Sequence, residues 1–241
     1  MPFHVQHSLL LPCSTMNLDD TLVEEPFWHR RHEGEHRWPV AVVVSLVIGL
    51  QFLLPRSLSL SQKDWVCLVE AVLLLAVLVI NPRRISAHIP SVRYVGLALI
   101  VIMTLSNTVS AIKLIDAIIT KNVVDARSLL SSGGSIWITN VVIFGLWYWE
   151  LDRGGPGRRA EAFEPFPDFM FPQMSDPRYA PPSWHPNFFD YLYTSFTNAS
   201  AFSPTDVMPL TRWAKMLMLV QSMTALLMVG LVIARAVNIL R

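Results

Sequence analysis

The chain of 241 residues is 52% hydrophobic and 15% charged, with a mean hydropathy of +0.41. Those values set it among membrane proteins and apart from soluble globular domains. A net charge of +1 excludes nucleic-acid binding as a main role, and two cysteines, Cys13 in a polar arm and Cys67 in an apolar run, do not make a disulfide framework.

Residues 1–37 form a polar N-terminal arm. Its brief apolar run at 8–13 has no basic region before it and no small-residue cleavage site after it, so it does not read as a signal peptide. His29, His32 and His36 would share one face of a helix, which suggests a metal or pH-sensing site. Gly34 weakens such a helix and the neighbouring arginines repel a cation. The favoured reading is a solvated stretch beside the membrane.

Residues 38–151 read as a four-helix transmembrane part. The first span, 38–54, has 17 uncharged residues and Trp38 as an interface anchor. A short link leads to the second, 65–80, which carries Glu70 and forms a hairpin with the first. Asn81-Pro82-Arg83-Arg84 marks a water-facing loop. The third and longest span, 94–119, contains Asn107, Lys113 and Asp116 and is long enough to tilt. Residues 121–134, ending Ser131-Ser132-Gly133-Gly134, read as a polar loop. The fourth span, 136–149, holds Asn140 and ends on an aromatic belt of Trp147, Tyr148 and Trp149.

Residues 152–186 are a Pro/aromatic-rich connecting segment. A disordered linker is poor in aromatics, so this composition predicts an ordered cap or belt on the membrane face. Gly154-Gly155-Pro156-Gly157, with Arg158 and Arg159, reads as a turn after a helix, with contact to a lipid phosphate as the alternative. Residues 187–241 run from an amphipathic aromatic segment through the turn Ser203-Pro204-Thr205-Asp206 to an apolar run at 213–237. That is the layout of a re-entrant helix, a loop and a membrane helix. The expected fold is all-α, a multi-pass transmembrane bundle of five spans plus one re-entrant pore-like helix, in the cell (inner) membrane.

Tyr193, Ser195, Phe196, Thr197, Asp206, Pro209 and Thr211 fall without a gap in the register of a known pattern. The segment resembles the pore helix, selectivity filter and inner helix of the two-helix potassium-channel pore, over about a fifth of the chain. It also resembles a group of bacterial multi-pass proteins with the same C-terminal layout. The resemblance implies a homo-oligomer, a tetramer by preference, acting on monovalent cations. The filter itself departs from the pattern. Ala201-Phe202-Ser203-Pro204-Thr205 stand where that family has Thr-Val-Gly-Tyr-Gly. Without the glycines the backbone angles of a carbonyl cage are costly, Ser203 is held extended by the proline after it, and Pro204 has no N–H to donate. A pore lined by side chains, or no pore, is what remains.

Thr197, Asn198, Ser200, Ser203, Thr205 and Asp206, with Asp190 and Thr194, offer oxygens along this segment. Around an oligomer axis, Asp206 would form a carboxylate ring favouring cations. The competing reading is a helix packed in the bundle, with the 203–206 turn capping the next helix. Asn198-Ala199-Ser200 also fits a glycosylation sequon.

With five spans, Glu70, Lys113, Asp116, Asn140 and Arg235 fall at comparable depth, one to two turns in from one side. Intramembrane charges pair or face water, so a polar cluster with Lys113 between Glu70 and Asp116 is expected. It would be a gate, an ion path or, by preference, a structural ion-pair lock. The N-terminal side carries twelve Lys or Arg against six on the other, which places it in the cytoplasm and inverts the pore-like loop relative to potassium channels. The sequence therefore points to an ion channel-like protein, non-selective or cation-favouring, with a non-conducting scaffold or sensor as the alternative. It shows no catalytic constellation, metal spacing or cofactor motif, and an enzyme acting on lipid is disfavoured.

Overall fold

The computed structural model describes residues 27–60, 63–80, 84–85, 89–120, 125–200 and 206–240. The fold is all-α. Four helices come first: α1 (Trp38–Leu53), α2 (Lys63–Ile80), α3 (Pro90–Ile119) and α4 (Ala126–Leu151). Two short ones, α5 (Pro156–Ala160) and α6 (Pro172–Ser175), lie in the connecting segment, and α7 (Phe188–Ser200) and α8 (Arg212–Leu240) end the chain. α1 and α3 both open on a proline in the first turn, where the missing N–H has no helical partner to lose.

Short pairings fix the directions of these helices. β1 (Glu35–His36), just before α1, pairs antiparallel with β2 (Arg84–Ile85), just after α2. Arg93, in the first turn of α3, lies against Glu150 near the end of α4. These contacts define a near end, where α4 finishes. At the far end, Leu54 and Leu58 pack with Leu114 and Ile118 of α3, Leu129 of α4 and Val232 and Ala236 of α8. Helices α1 to α4 therefore alternate in direction, and α8 runs from near to far beside α4.

The central element is α4. Its residues 139–146 are all buried, as for a helix enclosed on every side. Val44 and Val47 of α1 and Leu99, Ile100 and Met103 of α3 join Ile143, Leu146 and Tyr148 of α4 in the main core. α8 comes close on another side: a Cβ at Gly133 would lie 2.9 Å from a Val232 methyl.

α4 begins ten residues earlier than the sequence suggests. The Asp125 carboxylate accepts from the N–H groups of Arg127 and Ser128 and caps the helix there. Ser131 and Ser135 return their hydroxyls to carbonyls one turn back. The Ser-Ser-Gly-Gly stretch that reads as loop is helix, because the face bearing Gly133 receives α8. Three helical stretches, Pro90–Ile119, Ala126–Gly154 and Arg212–Ile239, are long and apolar enough to cross a membrane.

The connecting segment is folded. Phe169 and Phe171 are buried in the main core, and β3 (Phe169–Met170) pairs antiparallel with β4 (Met208–Pro209), just ahead of α8. Between α4 and α5 the chain turns at Gly154 and Gly155, which take φ of 78° and 101°, the left-handed region open to glycine, and Pro156 and Gly157 already belong to α5.

Candidate functional site

α7 and α8 start at the same end of the bundle. Phe188, the first residue of α7, donates its N–H to Glu35, which also accepts from Trp149 near the end of α4. Trp213, in the first turn of α8, donates to Asp168, and Asp168 accepts from the N–H of Arg153, just past α4. α7 has 13 residues, about 20 Å, and stops where Ala199 packs on Val141 of α4 and Ala225 of α8. By Val207, buried in the main core, the chain is back near its starting level. Between these points lie residues 201–205, so Ala201, Phe202, Ser203, Pro204 and Thr205 are outside the described residues. Asp206, at the end of that stretch, is described and exposed.

A buried ionic hub holds the start of α7. Arg159 of α5 meets Glu35 at 3.1 Å, with side chains 1% and 5% exposed, and donates to the carbonyls of Trp149 and Asp152 at 2.6 and 2.9 Å. Burial works against the Arg159 charge, but Tyr191, Glu35 and Asp152 outweigh it and raise the group above its ordinary value. Asp152 accepts from the Tyr191 hydroxyl of α7 at 2.6 Å and from the Asp168 N–H at 2.8 Å. The Arg153 guanidinium lies over the Trp28 ring. Hence the arm next to α1 is not a solvated stretch: Glu35 and Arg37 are buried. Nor do His29, His32 and His36 share a helix face. His36 is in β1, and His32 stacks on His185 with ring centroids 3.7 Å apart.

A second polar knot lies deeper, between α4, α7 and α8. The amide of Gln221, fully buried in α8, donates to Ser195 Oγ at 2.6 Å and to the Ser195 carbonyl at 3.0 Å. Its oxygen accepts from the Tyr148 hydroxyl and from Asn198 at 2.8 Å. Asn198 also donates to the Met218 carbonyl, and Ser222 donates to Asn198 Oδ1. The Ser195 hydroxyl itself donates to the Val141 carbonyl at 2.6 Å. Every member has a partner, so the knot fixes the three helices without an unpaired buried group.

These bonds sort the candidate pore-lining oxygens. Thr194, Thr197 and Ser200 each return their hydroxyl to a carbonyl in the preceding turn of α7. Asn198 faces α8. Of the described candidates on this segment, Asp206 is the one left turned to solvent.

The intramembrane charges do not assemble as expected. Glu70, fully buried, has the Gln51 amide 3.3 Å from both its oxygens, and Gln51 also meets Ser106 Oγ at 3.1 Å. A carboxylate presents acceptors, so the Gln51 nitrogen is the end that faces it. Lys113 instead donates to the Ser59 carbonyl at the far end, and no ion pair joins it to Glu70 or Asp116 among the described residues. The reason is axial distance: Ser106, level with Glu70, is seven residues and about 10 Å from Lys113 along α3. Lys113 and exposed Asp116 line a far-end cleft with Asp125 and Ser128. Asn140, buried, is 14 residues beyond the true start of α4 and so lies deeper than expected. Arg235 is half-buried on α8, next to Ala236 of the far-end core.

Set beside protein-family models, curated proteins and solved structures, the chain matches none.

Proposed function

We propose that this is a multi-pass membrane protein of five spans in which α7 enters from one side and returns, and that it acts as a homo-oligomeric, channel-like protein, non-selective or cation-favouring. The observation that carries the reading is the common starting end of α7 and α8, with α7 about 20 Å long against a hydrocarbon core of about 30 Å. A helix of that length, beginning at the same end as the spanning helix that follows it, fits the entry of a pore loop. The outward face of α8 supports the membrane: Met223, Leu226 and Ile233 are more than half exposed, and so are Leu75 and Val79 of α2.

Conduction, in this reading, passes residues 201–206 and not the hydroxyls of α7, which are engaged within the helix. The excess of arginine and lysine on the near-end side favours a cytoplasmic near end. A non-conducting scaffold or sensor is the second reading, supported by the Gln221 knot, which binds α7 to α4 and α8 within one chain. Ion flux into liposomes holding the purified protein, under potassium, sodium and chloride gradients, separates the two. The channel reading expects cation flux that drops on Asp206→Asn. Absence of flux for all three ions, with an intact oligomer, leaves the scaffold.

A further inference from the structure

A cavity of about 80 Å³ opens at the near end between α1, α2, α3 and α4. That is room for about six water-sized spheres, a short run of methylenes. Its walls are apolar, with Val44 of α1, Leu74 and Val77 of α2, Leu99 of α3 and Leu146 of α4. Its rim is charged: Arg37, Arg93 and Glu150 all line it. Glu150 lies 3.6 Å from Arg93 and leaves one cation in excess. Arg37 is 8% exposed, yet its guanidinium finds no hydrogen-bond acceptor among the described residues, and its Nε is fully shielded. A donor held away from water without an acceptor is expensive, and the one rim carboxylate, Glu150, is shared between Arg37 and Arg93, so the rim has room for a second anion.

We propose that this cavity binds an anionic phospholipid, its phosphate on Arg37 and Arg93 and the upper part of one acyl chain between α1, α2 and α3. The inference rests on the membrane reading above and not on conduction. An apolar slot continuous with a two-arginine rim matches an amphiphile, where a free phosphate would leave the apolar walls empty. A guanidinium also pairs with phosphate oxygens through two parallel donors.

Gly96 gives a clean way to close the slot. It lines the cavity on α3, and a Cβ placed there meets nothing within 4 Å. Gly96→Leu therefore fills the space reserved for the chain while leaving the helix contacts in place. The test begins with recovery of the protein by detergent from the membrane fraction; recovery in the soluble fraction would end the membrane reading itself. Thermal unfolding is then followed in nanodiscs of phosphatidylcholine with and without phosphatidylglycerol, and in detergent with inorganic phosphate. The expected result is a rise in midpoint with phosphatidylglycerol alone, lost in Arg37→Gln and again in Gly96→Leu. Phosphatidylglycerol retained through purification should fall in both variants. An equal rise in either folded variant, an equal effect of inorganic phosphate, or no rise in the wild type would overturn the proposal.

Discussion

Glu35 and Arg159 meet at 3.1 Å in a site closed to water although 124 residues separate them. The second carboxylate oxygen of Glu35 takes the Trp149 indole and the first N–H of α7. One carboxylate thus joins the arm, the end of α4, α5 and the start of α7. Removing one partner of a buried pair leaves the other charge uncompensated, at a cost of about 3–5 kcal/mol. Glu35→Ala and Arg159→Met are each expected to lower the unfolding midpoint sharply in a common detergent. The double variant should cost less than the sum, because neither charge is then left alone. Strict additivity would show that the two do not act as a pair.

The Gln221 knot makes a prediction of a different kind. Gln221→Leu keeps the volume but strips partners from Ser195, Asn198 and Tyr148, all on helices packed around it. The Tyr148 hydroxyl then loses its acceptor, at about 1–3 kcal/mol, while Ser195 and Asn198 keep their bonds to the Val141 and Met218 carbonyls. Limited proteolysis between residues 200 and 211 should become faster in this variant, since α7 keeps only the Asn198 bonds to Met218 and Ser222 as polar ties to α8. A wild-type cleavage rate would mean that packing alone holds α7.

The helices were readable because long uncharged runs report themselves, and the α7–α8 layout followed from one short amphipathic segment before one long apolar segment. The polar hub was not readable. Its members, Glu35, Asp152, Arg159, Asp168 and Tyr191, recur at no helical or strand period, and Arg159 reads in the sequence as part of a basic turn. The one available hint was an acidic residue at 35 within a basic stretch. Lys113 departs from the expected cluster for another reason: its partner is a backbone carbonyl, which side-chain identities do not announce. The Ser131–Gly134 stretch carries a loop's composition, and only the approach of Val232 shows why glycine was needed on a helix there.

Two glycines distinguish filled from open space. At Gly145 of α4 a Cβ would lie 3.2 Å from the Leu192 Cα of α7, so the backbone of α7 must move. At Gly96 it meets nothing. Both substitutions to alanine gain helix propensity, about 1 kcal/mol. Overpacking at 145 offsets that gain by about 1–3 kcal/mol, so Gly96→Ala should stabilise and Gly145→Ala should not. Chemical denaturation of both variants in one detergent gives the ordering. The reverse order would place the close approach of α4 and α7 in error.

The stacked rings of His32 and His185 set a pH response. Burial, then the charges of His185, Arg159 and Arg153, lower the His32 group from about 6.5 to about 4. Because the folded value lies below the unfolded one, the unfolded chain binds the extra proton between those limits. The contribution of His32 is therefore fully present above about pH 6.5, shrinks as pH falls, and is gone below about pH 4. A ring that is partly exposed feels this through solvent, so the effect is modest. The His32 ring also ties the arm to the segment ahead of α7 through the stack on His185, and the His32 backbone N–H donates to the Ala160 carbonyl of α5. The wild type should lose unfolding midpoint between pH 6.5 and pH 4 more steeply than His32→Gln, which keeps a polar side chain without the titrating group. Identical slopes for the two proteins would remove His32 from any role in acid sensitivity.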